Sequence, residues 1–242
     1  MRNLVLVAGF TFAICTSAAE PVHTVSGHTV SSTADPSVSV RLPDDATYVG
    51  SDRFTLTKPE YGNFDACELF AFADADKDRS LRRFYWVQFE HYLPSHPKLH
   101  YEYDSPRHVT IGGLDFYVDI EASEGTGKSR PGSDGEHFYN LLTSHGYKRV
   151  PMMFVRLVHL PDAAKRKELM IIVGQRLPAG VTAASLQPGG SAAARWPALQ
   201  DELVAWAAHN IVIATPGKKL RGVAKSAAAN HFDAGWRDSR SD

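Results

Sequence analysis

Leu114-Asp115-Phe116-Tyr117-Val118-Asp119-Ile120-Glu121 alternates large apolar residues with polar ones without a break. Successive side chains of a strand point to opposite faces, so this period of two predicts a strand that buries Leu114, Phe116, Val118 and Ile120 and turns its acids outward. Gly112-Gly113 in front of it is a turn signal, and it joins the strand to His108-Val109-Thr110-Ile111 as a hairpin. Working outward, the same kind of patterning predicts strands over 51–57, 66–72, 82–93, 150–160 and 168–177. The polar runs Asp74-Ala75-Asp76-Lys77-Asp78 and Pro161-Asp162-Ala163-Ala164-Lys165 are short connections between neighbouring runs. Short connections make antiparallel pairs.

Two segments carry helical signals instead. Ser133-Asp134-Gly135-Glu136 is a capping box, in which serine and glutamate satisfy backbone donors at a helix start, and Gly146 ends the helix after His145. Over 193–213, Trp196, Leu199, Leu203, Trp206 and Ala207 recur at helical steps and form one apolar stripe. Pro197 is compatible with the first turn, where no hydrogen bond is forfeited. The expected fold class is therefore α+β: a single antiparallel sheet of about six or seven strands, with two helices packed on one face and the other face partly open.

The ends read differently from the middle. Met1-Arg2-Asn3 precedes an apolar run from Leu4 to Ile14, and small residues follow to Ala19. A positive start, a short apolar stretch and a small-residue cleavage point form the pattern of a secretory signal peptide over residues 1–19. The run is shorter than the roughly 20 apolar residues a permanent span requires, and no later segment supplies them, so no transmembrane segment is expected. Residues 20–39, rich in Ser, Thr and Val, read as an extended N-terminal arm, 40–213 as the folded domain, and 214–242 as a disordered basic tail. The expected location is periplasmic or secreted. A mature chain beginning at Glu20 loses Cys15 and keeps Cys67 as its one cysteine, so a core and not a disulfide must stabilise it.

The whole chain has 242 residues, with 26 Lys and Arg against 27 Asp and Glu. That balance gives no basic surface for a polyanion, and nucleic acid is not an expected partner. Several motifs approach known chemistry and then depart from it. Ala122 to Ser129 resembles a phosphate loop, but Arg130-Pro131-Gly132 follows where a helix should begin. Asp74, Asp76, Asp78 and Ser80 resemble the start of a calcium loop, but Arg79 stands where the bend needs glycine and Tyr85 where a bidentate glutamate belongs. No nucleophile elbow, Cys-x-x-Cys pair or dinucleotide fingerprint occurs.

Two constellations remain. In the 82–93 strand, the odd positions Tyr85, Val87, Phe89, His91 and Leu93 look like core, whereas Phe84, Trp86, Gln88, Glu90 and Tyr92 mix rings with an amide and a carboxylate. Rings supply contact area and polar groups fix orientation, so Trp86, Gln88, Glu90 and Tyr92 form a candidate binding face. A covering layer, with Glu90 paired to Arg156 or Arg176, is the competing account. The second constellation is His91, His96, His100 and His108, of which the first three are candidate metal ligands with Glu90 as a base. Pro94 and Pro97 leave their relative placement open. The sequence leads to a non-catalytic module that binds an unknown small molecule or an envelope protein, with a metal-dependent hydrolase-like enzyme using the histidines and a structural envelope component as alternatives. It identifies no cofactor.

Overall fold

The computed structural model describes residues 22–215. The expected signal peptide, and all but the first two residues of the expected tail, lie outside them. Among the described residues, eleven strands and two α-helices follow one another in the order β1 (His23–Ser26), β2 (Thr29–Ser32), β3 (Val38–Arg41), β4 (Thr47–Lys58), β5 (Gly62–Ala75), β6 (Leu81–Tyr92), β7 (His108–Ile111), β8 (Leu114–Ser123), α1 (Asp134–Ser144), β9 (Met152–His159), β10 (Lys167–Arg176), α2 (Trp196–Asn210) and β11 (Val212–Ala214). Seven strands form one antiparallel sheet in the order β4-β5-β6-β10-β9-β8-β7, and four form a second in the order β1-β2-β3-β11.

The alternation that opened the reading is realised in β8: Phe116 and Val118 are buried, and Asp115 and Glu121 are exposed. The expected α+β fold with a single sheet and both helices on one face is not: strand predominates among the described residues and is divided between sheets of seven and four strands, with two α-helices. Residues 20–39, expected as a loose arm, supply β1, β2 and the start of β3, where Val30, Val38 and Val40 point into the core. The two helices cover opposite faces of the large sheet. Phe70, Phe72, Tyr85, Val87, Phe116, Val118, Ile171 and Val173 pack with the small sheet and with Leu199, Leu203 and Ala207 of α2. On the other face, Leu69, Ala71, Phe84, Trp86, Met170 and Ile172 pack with Phe138 and Leu142 of α1. With both faces covered, the middle strands β5, β6 and β10 are buried nearly continuously, as strands between two layers must be.

Local signals fix the edges of these elements. Ser133 caps α1: its Oγ accepts from the Glu136 amide at 3.2 Å and donates to the Arg130 carbonyl at 2.6 Å. The glutamate carboxylate reaches one residue further than the usual box and accepts from the Gly132 amide at 2.7 Å. Ser133→Ala is expected to cost about 1 kcal/mol in urea unfolding, the usual worth of a helix cap. An unchanged midpoint would show that the loop ahead of α1 satisfies these amides unaided.

Candidate functional site

Strands β5, β6 and β10 lie side by side, and their register aligns one row of side chains on the α1 face. Cys67 stands opposite Glu90, Asp65 opposite Tyr92, and Glu90 opposite Glu168. All four of Asp65, Cys67, Glu90 and Glu168 are buried. Ligand-capable atoms of Asp65, Cys67 and Glu90 all lie within 4.8 Å of one another. A polar ladder along β6 leads to this point: the Trp86 indole Nε1 donates to Gln88 Oε1 at 2.6 Å, and the Gln88 amide donates in turn to Glu90 Oε1.

The cover comes from the loop between β6 and β7 and from the start of α1. Tyr101 donates to both carboxylate oxygens of Asp65, at 2.9 and 2.8 Å, and Tyr103 donates to Glu168 Oε2 at 2.7 Å. Tyr92 is half-buried and stacks on Tyr101 with ring centroids 4.4 Å apart. Arg166 holds this loop down by donating to the carbonyls of Tyr92, Leu93, His96 and Leu99. The neighbouring guanidinium groups are thus committed elsewhere, Arg166 to backbone and Arg156 to Asp119 at 2.6 Å. The Cys67 thiol is free, with no hydrogen-bond partner among the described residues.

Burying three acids together shapes their protonation. Desolvation pushes Asp65 up to about 6, against the opposing pull of the Tyr101 hydroxyl and Arg166. Desolvation likewise raises Glu168 to about 7, although the Tyr103 hydroxyl and Arg156 favour its charged form. Glu90 lies well above the usual carboxylate range, first through burial and then through the charges of Glu168, Asp65 and Asp134. The Cys67 thiol rises for the same reasons, so at neutral pH the cluster by itself holds protons on Glu90 and Cys67.

Three of the four expected binding residues are therefore part of the site, but not as an open face. Trp86, Gln88 and Glu90 lie under α1, and Trp86 stacks on Phe138 at 4.5 Å. Glu90 is not paired with either arginine proposed for it, since Arg156 turns to Asp119 and Arg176 to Asp76 at 2.7 Å. The candidate metal ligands His91, His96 and His100 are not gathered. His91 lies between Glu90 and Tyr92 on the strand and points to the opposite face, while His96 bonds the Asn63 carbonyl at 2.9 Å and His100 the Glu102 carboxylate at 2.9 Å. Among the described residues, the one set of three or more metal-capable side chains that converges is Asp65, Cys67 and Glu90. The acids of the hairpin after β5 are taken up by cations, Asp74 and Asp76 by Arg82, and Asp78 by Lys148. The phosphate-loop look-alike stays a loop after β8, with α1 beginning only at Asp134.

Sequence reasoning missed Asp65, Cys67, Glu168, Tyr101 and Tyr103 as site residues. The signal for the two acids was present: Asp65 is in phase with Leu69 and Ala71, and Glu168 with Met170 and Ile172, so each places a carboxylate at an apolar position of its strand. Among the described residues, no helix is long and apolar enough to cross a membrane. Comparison with protein-family models, with characterised proteins and with solved structures finds no match for this chain.

Proposed function

We propose that this protein is a non-catalytic binding module whose ligand is a divalent cation held by Asp65, Cys67 and Glu90, with Glu168 adding negative charge beside them. The observation that carries this reading is the convergence of two buried carboxylates and a buried thiol; among the described residues the thiol has no hydrogen-bond partner, and no guanidinium or ammonium group is paired to the cluster. Buried charges are paired, bound to a metal or neutralised by protons. A cation would replace the protons on Glu90 and Cys67, so its affinity rises with pH and its binding releases protons. Carboxylate oxygens suit manganese or calcium, and a thiolate draws the preference towards zinc. A donor set this buried matches a small dehydrated ion better than a substrate that must enter and leave, which favours binding over catalysis. The charged start, apolar run and small residues of Met1 to Ala19 support export to the periplasm or beyond.

Thermal unfolding at neutral pH tests this after chelation and dialysis, with manganese, zinc or calcium added back. At least one cation is expected to raise the melting temperature, by the equivalent of about 2.7 kcal/mol when present at about 100 times its dissociation constant. Glu90→Gln and Cys67→Ser should each abolish that rise. If no cation stabilises the protein while Glu90→Gln makes the metal-free protein more stable, the cluster is a set of neutral acids and the reading fails.

A further inference from the structure

The hydrogen bonds around the cluster restrict which oxygens its acids can offer. The Trp86 indole can only donate, so the Gln88 oxygen must face it, and the amide nitrogen is thereby turned to Glu90 Oε1. Gln88 is fully buried and cannot exchange these partners for water. Glu90 therefore presents Oε2 inward. Tyr103 occupies Glu168 Oε2 in the same way, and the single proton of the Tyr101 hydroxyl is shared between the two oxygens of Asp65. Each acid carries one neutral donor and is not free to clasp an ion with both oxygens.

Main-chain oxygens are also spoken for. Strands β5, β6 and β10 each lie between two hydrogen-bonded neighbours, so the carbonyls of Asp65, Cys67 and Glu90 are spent in the sheet. The nearest charges are placed as well. Arg166 and Arg156 are committed as described, Lys58 lies over the Phe64 ring at 5.1 Å, and Asp134 at the start of α1 accepts from the Gly135 amide at 2.8 Å.

Calcium collects about six to eight oxygens, with carboxylates bound through both atoms and backbone carbonyls among them, and manganese is likewise an ion of octahedral oxygen sites. This cluster offers one oxygen from each acid and a sulfur. Zinc takes four ligands, one atom from each, and thiolate is among its preferred donors. The thiol is the independent sign of a ligand here: Cys67 is 4% exposed, without a hydrogen-bond partner among the described residues, and its sulfur lies within 4.8 Å of oxygens of both Asp65 and Glu90. Resting on the reading of the cluster as a cation site, we infer that it selects a thiophilic, four-coordinate ion of the zinc class over calcium or manganese. Asp65, Cys67 and Glu90 are its ligands, and Glu168, across from Glu90 on β10, is the acid at hand for the fourth position. Gln88 and Tyr101 are positioning residues, which act by holding Glu90 and Asp65 to one oxygen each.

The reduced, chelated full chain is titrated with zinc, cobalt, manganese and calcium in competition with a chromophoric chelator. Zinc and cobalt are expected to bind on the order of 100-fold more tightly than manganese or calcium. The cobalt complex should show thiolate-to-cobalt charge transfer in the near ultraviolet and the intense visible bands of four-coordinate cobalt, and Cys67→Ser should remove the charge-transfer band. Gln88→Met and Tyr101→Phe each withdraw one donor while keeping most of the side-chain volume. Zinc affinity should fall about 10-fold to 100-fold in each, the usual effect of losing the partner behind a metal ligand, and the visible cobalt bands should weaken. Tyr101→Phe keeps the ring that stacks on Tyr92, so it decides the matter if Gln88→Met does not fold. Manganese or calcium binding as tightly as zinc, a cobalt spectrum without the thiolate band, or unchanged zinc affinity in a folded Gln88 or Tyr101 variant would overturn the inference and leave the cation site standing. Binding of none of the four ions would remove both.

Discussion

Trp86→Ala is expected to lower the free energy of unfolding by about 3–5 kcal/mol, the range for removing a large aromatic side chain from a packed core. The indole is only 5% exposed and stacks on Phe138, whose ring also meets Phe84 at 5.0 Å. Truncation therefore opens a cavity between β6 and α1 that neither rigid ring can fill. It also removes the donor to Gln88 Oε1, leaving a buried amide oxygen without its partner. Trp86→Phe separates the two effects, since it keeps a stacking ring but forfeits the hydrogen bond, and its cost should be roughly 1–3 kcal/mol. Chemical denaturation of the three proteins is the measurement. A loss below about 1 kcal/mol for the alanine variant would mean that α1 does not sit on this face, and the enclosure of the carboxylates would go with it.

The same tryptophan shows what the sequence could and could not convey. The alternation in β6 separates a buried face of Tyr85, Val87 and Phe89 from a face of Trp86, Gln88 and Glu90, but it also assigns His91 and Leu93 to the core, whereas His91 is exposed and Leu93 lies past the end of the strand. Periodicity does not report what lies over a face, however, and the aromatic-polar row looked like a surface when it is the floor beneath a helix. The side of the sheet on which α1 lands depends on how residues 124–133 cross from β8, and no local pattern in that Gly-rich and Ser-rich loop encodes the crossing. The small sheet was illegible for another reason. Its strands are three or four residues long, and the inward valines at 30, 38 and 40 stand among serines and threonines, so the period of two has no room to rise above composition. The residues sealing the site, Tyr101 and Tyr103, sit in a proline-flanked loop with no period at all. Asp65 and Glu168 were the missed opportunity, because a carboxylate in the apolar phase of a strand has a desolvation cost that something must offset.

That cost should appear as an inverted pH dependence of stability, the second large effect. Asp65, Glu90 and Glu168 face one another across three strands. The other polar and charged groups around them are Tyr101 and Tyr103 of the covering loop, Gln88 on β6, Arg156 on β9, Arg166 ahead of β10, Asp134 at the start of α1, and Lys58 at the end of β4. The net result raises all three acids above their unfolded values. A raised acid holds its proton in the folded chain where the unfolded chain has released it, so its contribution is fully present below about pH 4 and is lost as pH climbs towards 7. For Asp65, carried from 3.8 to about 6, the loss is roughly 3 kcal/mol, and Glu168, carried from 4.5 to about 7, is comparable. The two share protons with Glu90, so the combined fall is smaller than their separate values added together. On the acid side the surface acts in the opposite sense: Glu68, Asp76 and Asp78 are held below their usual range by histidine, arginine, lysine and serine partners, and their contribution disappears as they protonate. The metal-free protein is therefore expected to be most stable near pH 4–5 and to weaken by several kcal/mol by pH 7.5, a trend read from urea unfolding at fixed ionic strength. Glu90→Gln combined with Glu168→Gln should shrink the fall on the neutral limb to the share of Asp65, whose shift comes first from burial, while leaving the acid limb in place. Stability that instead rises steadily from pH 4 to pH 7.5 in chelated protein would mean that the three acids are ionised and compensated within the fold, leaving a cation nothing to neutralise.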